Sequence, residues 1–438
     1  MVNLSPIPAR PRTAYAWFVV VVLMIAYIFS FIDRYIVNLL VEPMKRDLGL
    51  SDTKVSLLLG ASFAMFYATL GLPIGRLADR HNRKNIITVG IILWSLMTAA
   101  CGMAKNYGQL FLARIGVGVG EAALSPSAYS MIADYFPKER LATALSVYSI
   151  GIYLGTGLAY IIGGRILEAV APLGTVVLPV IGQIFSWQLV FFYVGLPGLL
   201  IAGLVFLLRE PVRRNFAHAD LSVAAQPTFG ESVRYLSKDR GLFWWFLAGS
   251  ALFTVVSYGA GTWMPTYLTR IQHLTPKASS DFVGLISMLC APVGLVVGGR
   301  IADYLSGQGV RGAKLRFCFW SAVVWIPISL AYNAMPTPAL TQFALVFFIL
   351  VMSSNIGVSV AAVQEMVPAQ LRSFASALLL FAQNAVGLGL GPTSPALLND
   401  LVFHDDLALG KSLAITALVA LLGSAFCFYQ AWQRVAAK

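Results

Sequence analysis

Long apolar runs alternate with short polar segments along the whole chain, and the length of the runs decides what they are. A helix needs about 20 largely apolar residues to cross roughly 30 Å of hydrocarbon. On that ruler the pattern predicts twelve membrane helices, at 14–40, 55–75, 85–104, 107–133, 141–167, 183–208, 242–269, 281–301, 315–335, 339–363, 373–398 and 411–433. The expected fold class is an all-α membrane protein. Ahead of the first run, "MVNLSPIPARPRT" is polar and Pro/Arg-rich. It lacks the short apolar core and small-residue cleavage site of a removable leader, so the first run is read as a retained membrane helix.

Composition removes the alternative of several soluble domains: 58% of residues are hydrophobic and 11% charged, against roughly 25% charged in an ordinary globular domain. The 31 basic residues are unevenly placed. With the amino terminus inside, 21 lie in cytoplasmic segments, including the cluster Arg76, Arg80, Arg83 and Lys84; eight lie outside and two, Arg34 and Arg114, stay within spans. This bias predicts both termini in the cytoplasm of a cell membrane, plasma or bacterial inner. It also accounts for the net charge of +12 through basic inner loops, with no nucleic acid partner. Cys101, Cys290, Cys318 and Cys427 show no paired spacing and read as small apolar residues, so no metal is expected. His81, His218, His273 and His404 fall in loops, which argues against a histidine relay inside the membrane. "GKS" at 410–412 has Asp405 where a phosphate-binding loop requires its first glycine. No nucleotide, cofactor or enzymatic constellation is expected.

The chain repeats itself. "GRLAD" at 75–79 returns as "GRIAD" at 299–303, each just after the second helix of a six-helix set, and "PKER" at 137–140 is echoed by "PAQLR" at 368–372 after the fourth. The polar stretch 209–240, with Pro211 and Pro227, lies between them. The expected organisation is an amino-terminal bundle over 1–208, a cytoplasmic linker over 209–240 and a carboxyl-terminal bundle over 241–438. Parallel repeats with a site at their interface are a transporter architecture.

"GRLADRHNRK" at 75–84 is similar to the signature loop of the major facilitator superfamily, and "RIGVGVGEAA" at 114–123 resembles that superfamily's helix 4 motif. "FIDRYIV" in the first span, the stretch 114–144 and "GLGLGPTSPALLND" at 387–400 together resemble the Spinster branch, whose members move lysophospholipids and sphingosine-1-phosphate. The resemblance implies a gating motif built on Gly75, Asp79, Arg80, Arg83 and Lys84, with Arg140 after helix 4 and Asp303 in the second copy. That copy lacks the compact trailing basic pair, so the two halves should not gate equivalently. The glycines at 116, 118 and 120, mirrored at 387, 389 and 391, follow no strand and read as positions of close helix packing.

Four ionisable residues lie deep in the spans: Asp33, Arg34, Arg114 and Glu121. Each costs at least about 2.5–3.5 kcal/mol at a helix centre if left alone, so they should face a cavity and pair. Asp33 is twenty residues from Thr13 and Arg114 twenty from Asp134, which places both at about 30 Å along their helices. Asp33 and Arg114 are therefore the expected pair. Glu121 should lie on the face of Arg114 about 10 Å nearer the cytoplasm, and Arg34, rotated about 100° from Asp33, should look elsewhere. A static salt-bridge network is one reading and a proton switch the other. Burial and a nearby Arg act on a carboxylate in opposite senses, so a conformational change that alters either can load or release a proton. Asp33 and Glu121 are the candidate proton carriers, and Arg34 and Arg114 their partners or the ligands of a phosphate headgroup.

The carboxyl-terminal spans offer Tyr258, Asn355, Gln383 and Asn384 as candidate polar cavity residues amid abundant Phe, Leu, Met and Val. A charged half and an apolar half suit an amphiphile. The expectation is a monomeric transporter in contact with membrane lipids, working by alternating access with protons as coupling ion and carrying a lysolipid or related amphiphile. A multidrug or small organic-anion carrier is the alternative. A channel would need a polar ring from both halves.

Overall fold

A computed structural model describes residues 13–179, 181–212, 229–237, 241–368 and 371–436. Within them the side chains at Gly75, Arg76 and Asp79, among others, are outside the description. The helices in chain order are α1 (Thr13–Tyr35), α2 (Val41–Leu48), α3 (Asp52–Ser56), α4 (Ser62–Arg80), α5 (Arg83–Cys101), α6 (Tyr107–Glu121), α7 (Leu124–Tyr135), α8 (Lys138–Val170), α9 (Leu189–Gly195) and α10 (Gly198–Phe206). They continue with α11 (Phe229–Leu236), α12 (Leu242–Arg270), α13 (Pro276–Gly307), α14 (Ala313–Ala334), α15 (Pro338–Met366), α16 (Arg372–Leu390), α17 (Thr393–Leu398) and α18 (Leu409–Ala436).

Ten helical stretches among the described residues are long and apolar enough to cross a membrane. The expected span at 107–133 is not among them, because it is built from two shorter helices, whereas 55–75 lies within one continuous helical run over 52–80. A π turn over Leu57–Ala61 joins α3 to α4, but α6 stops at Glu121, two residues before α7 begins. Pro126 explains this break: it has no N–H for the carbonyl of Ala122 and its ring crowds that carbonyl, so it is accommodated in the first turn of a new helix. Polar side chains mark the starts of several helices. Asn82 caps α5, Asn106 caps α6, and Thr275 and Thr337 cap α13 and α15 ahead of a proline at the first helical position.

One element was not expected. Thr175–Leu178 (β1) and Gly182–Phe185 (β2) pair as an antiparallel hairpin. Its first strand sits between Gly174 and Gly182, both at positive φ, and its second overlaps the start of the span expected at 183–208.

Packing divides the chain into two compact units that do not follow the expected division at 1–208, 209–240 and 241–438. Among the described residues, one unit comprises those within 13–34, 66–159 and 170–212; the other comprises those within 35–65, 160–169 and 229–436. A repeat records how the chain was built, whereas a compact unit records which side chains touch. Most of the linker expected at 209–240, namely 213–228 and 238–240, lies outside the described residues.

In the first unit α5 and α6 approach through glycine: a Cβ on Gly120 would stand 2.7 Å from the backbone nitrogen of Trp94 and 2.8 Å from the carbonyl oxygen of Gly90. In the second unit α12 and α16 do the same, a Cβ on Gly391 standing 2.9 Å from the nitrogen of Gly259. Both are close packing contacts.

Candidate functional site

The embedded charges meet where α1 passes the broken end of α6. Asp33, Arg114 and Glu121 are buried and the Arg34 side chain is 10% exposed. Oε2 of Glu121 accepts from Ser30 Oγ at 2.9 Å, from Arg34 Nη2 at 2.6 Å and from Arg34 Nε at 3.1 Å. The Arg34 guanidinium also lies 4.8 Å from the ring centre of Phe31 and 4.9 Å from that of Tyr67. Arg114 donates to the backbone carbonyl of Asp33 at 3.4 Å. Oε1 of Glu121 and both carboxylate oxygens of Asp33 are buried without a hydrogen-bond partner.

This arrangement corrects the expected pairing. The ion pair is Arg34 with Glu121; Arg114 hydrogen-bonds the main chain of Asp33 and lies within electrostatic range of its carboxylate. A helical side chain leans toward the amino end of its helix, so Arg34 reaches back one turn to the level of Ser30, where Glu121 lies. Cys101, read as an inert apolar residue, belongs to the same neighbourhood, within electrostatic range of Arg114 and Asp33.

A second cluster gathers on Arg83, the first residue of α5. Buried at 2% exposure, Arg83 donates from Nη1 to Asp134 at 2.6 Å and to Ser130 at 2.9 Å, from Nε to Glu210 at 2.7 Å, and from Nη2 to the carbonyl of Pro211 at 3.3 Å. Lys84 adds a bond from its backbone nitrogen to Glu210 and one from Nζ to the carbonyl of Phe206. Arg83 and Lys84 were expected in a gating motif. Asp134 and Glu210 were missed, although Asp134 stands in the last turn of α7 and Glu210 directly before Pro211, where a carboxylate near a basic loop is a visible signal. Arg80, Arg140 and Asp303 are exposed. Gly75 and Asp79 have side chains outside the described residues.

A third cluster, entirely unexpected, lies in the second unit at the end opposite the carboxyl terminus. Asp52 is fully buried. It binds Arg270 through both carboxylate oxygens, at 2.9 and 3.2 Å, and accepts from Lys45 at 2.7 Å and from Asn399 at 3.0 Å. Arg270 further bonds Glu42 at 2.9 Å, and Lys45 bonds Asp406 at 2.8 Å. Burial pushes the Asp52 carboxyl up, but the hydrogen bonds and charge of Arg270, with Lys45 and Asn399, outweigh it and hold the group below the usual carboxylate range. Nearby, Pro265 has no N–H to bond the carbonyl of Gly261, and the Tyr160 hydroxyl donates to that carbonyl at 2.8 Å while accepting from Asn38 at 3.1 Å.

Of the polar residues expected to line a cavity, Tyr258 donates to Asn384 at 3.0 Å, and the backbone carbonyl of Gln383 accepts from Thr254 at 3.1 Å. Asn355 is different. It is 2% exposed and donates to Ser321 at 2.7 Å, so it ties α15 to α14.

The Major Facilitator Superfamily profile matches residues 23–392. An MFS-type efflux pump of Mycolicibacterium smegmatis is 30% identical over 431 residues, covering 96% of this chain and 93% of that protein. The sphingosine-1-phosphate transporter SPNS2 of Mus musculus is 25% identical over 431 residues, covering 92% of this chain and 75% of that protein. Among solved structures, a bacterial homolog of the human lysosomal transporter Spinster, inward-facing and unoccupied, superposes with a TM-score of 0.82 at 24% identity over 98% of this chain and 99% of that one.

Proposed function

This chain belongs to the Major Facilitator Superfamily, and we propose that it works by alternating access, coupled to protons, to move an amphiphile with an anionic head such as a lysophospholipid or sphingosine-1-phosphate. The observation that carries this reading is the set of orphan acceptors: Glu121 Oε1 and both oxygens of Asp33, buried with no hydrogen bond made to them, although the Trp94 indole stands near Asp33. A buried carboxylate with unbonded oxygens carries a desolvation cost that a bound proton relieves, and a proton that binds there and leaves again is a coupling ion. Arg34, held between two aromatic rings and bonded to Glu121, is the group that a phosphate could claim in exchange for that carboxylate. The basic bias of the loops supports placing both termini in the cytoplasm.

The deciding experiment is uptake of labelled lysophospholipid into proteoliposomes with and without an imposed pH gradient. In Glu121→Gln, which mimics the protonated form, gradient-driven uptake should fall to near background while downhill exchange persists. Full gradient dependence in that variant would transfer the role to Asp33. The second reading, a proton-coupled multidrug or small organic-anion carrier, is favoured by the likeness to the mycobacterial efflux pump. Competition by small hydrophilic anions would select it.

A further inference from the structure

At the end of the second unit where the chain terminates, α14 begins against the last turns of α18. Gly312, the residue before α14, packs so closely on α18 that a Cβ there would lie 3.3 Å from Val435 and 3.5 Å from Trp432. One turn on, the Arg316 guanidinium sits 5.6 Å from the ring centre of Trp432. The same seam continues into the bilayer as aromatic surface. Phe319 lies 5.9 Å from Trp432 and 5.8 Å from Tyr429, and beside it Trp320 and Tyr429 are 49% and 40% exposed.

The chemistry of this seam changes with depth. Tryptophan within a turn of a spanning helix's end is placed for the headgroup layer, and aromatic side chains exposed further along the helix face acyl chains. Arg316 stands at the junction. Its neighbour Lys314 is already paired with Glu365, whereas among the described residues Arg316 has an aromatic face against it and no carboxylate. A guanidinium laid over a ring by cation–π attraction keeps its planar N–H edge free for a bidentate oxyanion. We propose that Arg316 and Trp432 form a headgroup site for an anionic phospholipid of the leaflet that the carboxyl terminus faces, with the acyl chains lying along Phe319, Trp320 and Tyr429. Charge complementarity selects the lipid's phosphate as the occupant, and the apolar track below selects a lipid over a soluble anion.

The test uses the full-length protein and native mass spectrometry, titrating phosphatidylglycerol and, separately, phosphatidylcholine with the same acyl chains. The wild-type protein should retain one phosphatidylglycerol at concentrations where phosphatidylcholine is lost. Arg316→Gln should weaken that binding roughly fivefold, the value of one basic group near an anionic lipid, and Trp432→Leu should weaken it as well. Arg311→Gln, which removes a nearby exposed charge, should have a smaller effect. Equal retention of the two lipids, an unchanged affinity in Arg316→Gln, or equal losses from Arg311→Gln and Arg316→Gln would each overturn the proposal. Should Arg316→Gln not fold, Arg316→Lys decides: a loss of affinity is expected, because an ammonium lacks the planar fork, and wild-type affinity would exclude the site.

Discussion

Ser30 and Arg34 both donate to one oxygen of Glu121 while the other stays buried and unbonded, so the carboxylate is gripped from one side only. Removing one partner of a buried pair strands the other, at a cost of about 3–5 kcal/mol. Arg34→Gln and Glu121→Gln should each lower stability by an amount of that order, and the double variant should fall short of their sum by about 0.5–3 kcal/mol. Chemical unfolding in detergent measures the cycle; simple additivity would mean that the two groups act separately. The four charges were legible because an ionisable residue in an apolar run is costly and so rarely accidental. Their pairing was not. Counting depth treats each side chain as a point at its Cα, whereas Arg34 spans a full turn to reach the level of Ser30.

Elements add constraints that no single residue shows. Asp52 is separated from Arg270 by 218 positions, so no local pattern announces that the start of α3 and the end of α12 share a bidentate bond. The sign of its pH dependence follows from its lowered value. A carboxyl held below its unfolded value of about 3.9 stabilises the network fully above that pH and loses this contribution as the pH falls through the lower folded value. Wild-type melting should therefore carry an acid-sensitive component below about pH 4. Asp52→Asn should melt lower at pH 7, by the equivalent of about 1.5–3 kcal/mol for hydrogen bonds to a charged group, and should lack that component. Identical acid profiles would assign the sensitivity to other carboxylates. The contact of α5 with α6 was better advertised, since the glycines at 116–120 already read as packing. Gly120→Ala would push a methyl into the backbone at Trp94 and should cost about 1–3 kcal/mol as overpacking, a loss that a melting curve would register. The break between α6 and α7 was also written in the chain, as Pro126. An unbroken apolar run hid it, because hydropathy does not register a missing N–H.

On the scale of the whole molecule, the twelve runs and the "GRLAD"/"GRIAD" repeat carried the architecture, since bilayer thickness fixes span length and duplication leaves its record in sequence. What they could not carry was which segments pack together: 35–65 and 160–169 belong to the compact unit that holds the carboxyl-terminal half. In that unit the end of α8 is fastened to the start of α13 by Lys277 to Glu168 at 3.0 Å and by Arg165 to Asp281 at 3.9 Å. Beside those pairs the helices nearly touch, a Cβ on Gly164 standing 2.5 Å from that of Ser280. Under the alternating access proposed above, a closed seam of this kind parts once in every cycle. Glu168 and Lys277 are about half exposed, with side chains 53% and 50% accessible, and an exposed pair contributes at most about 1 kcal/mol, so both can be replaced by cysteine with the fold intact. Bridging Glu168→Cys and Lys277→Cys with a short bifunctional thiol reagent should abolish uptake into proteoliposomes, and a reductant that cleaves the bridge should restore it. Uptake that continues with the bridge in place would show that α8 and α13 stay together through transport, and the moving seam would then have to be sought elsewhere in the molecule.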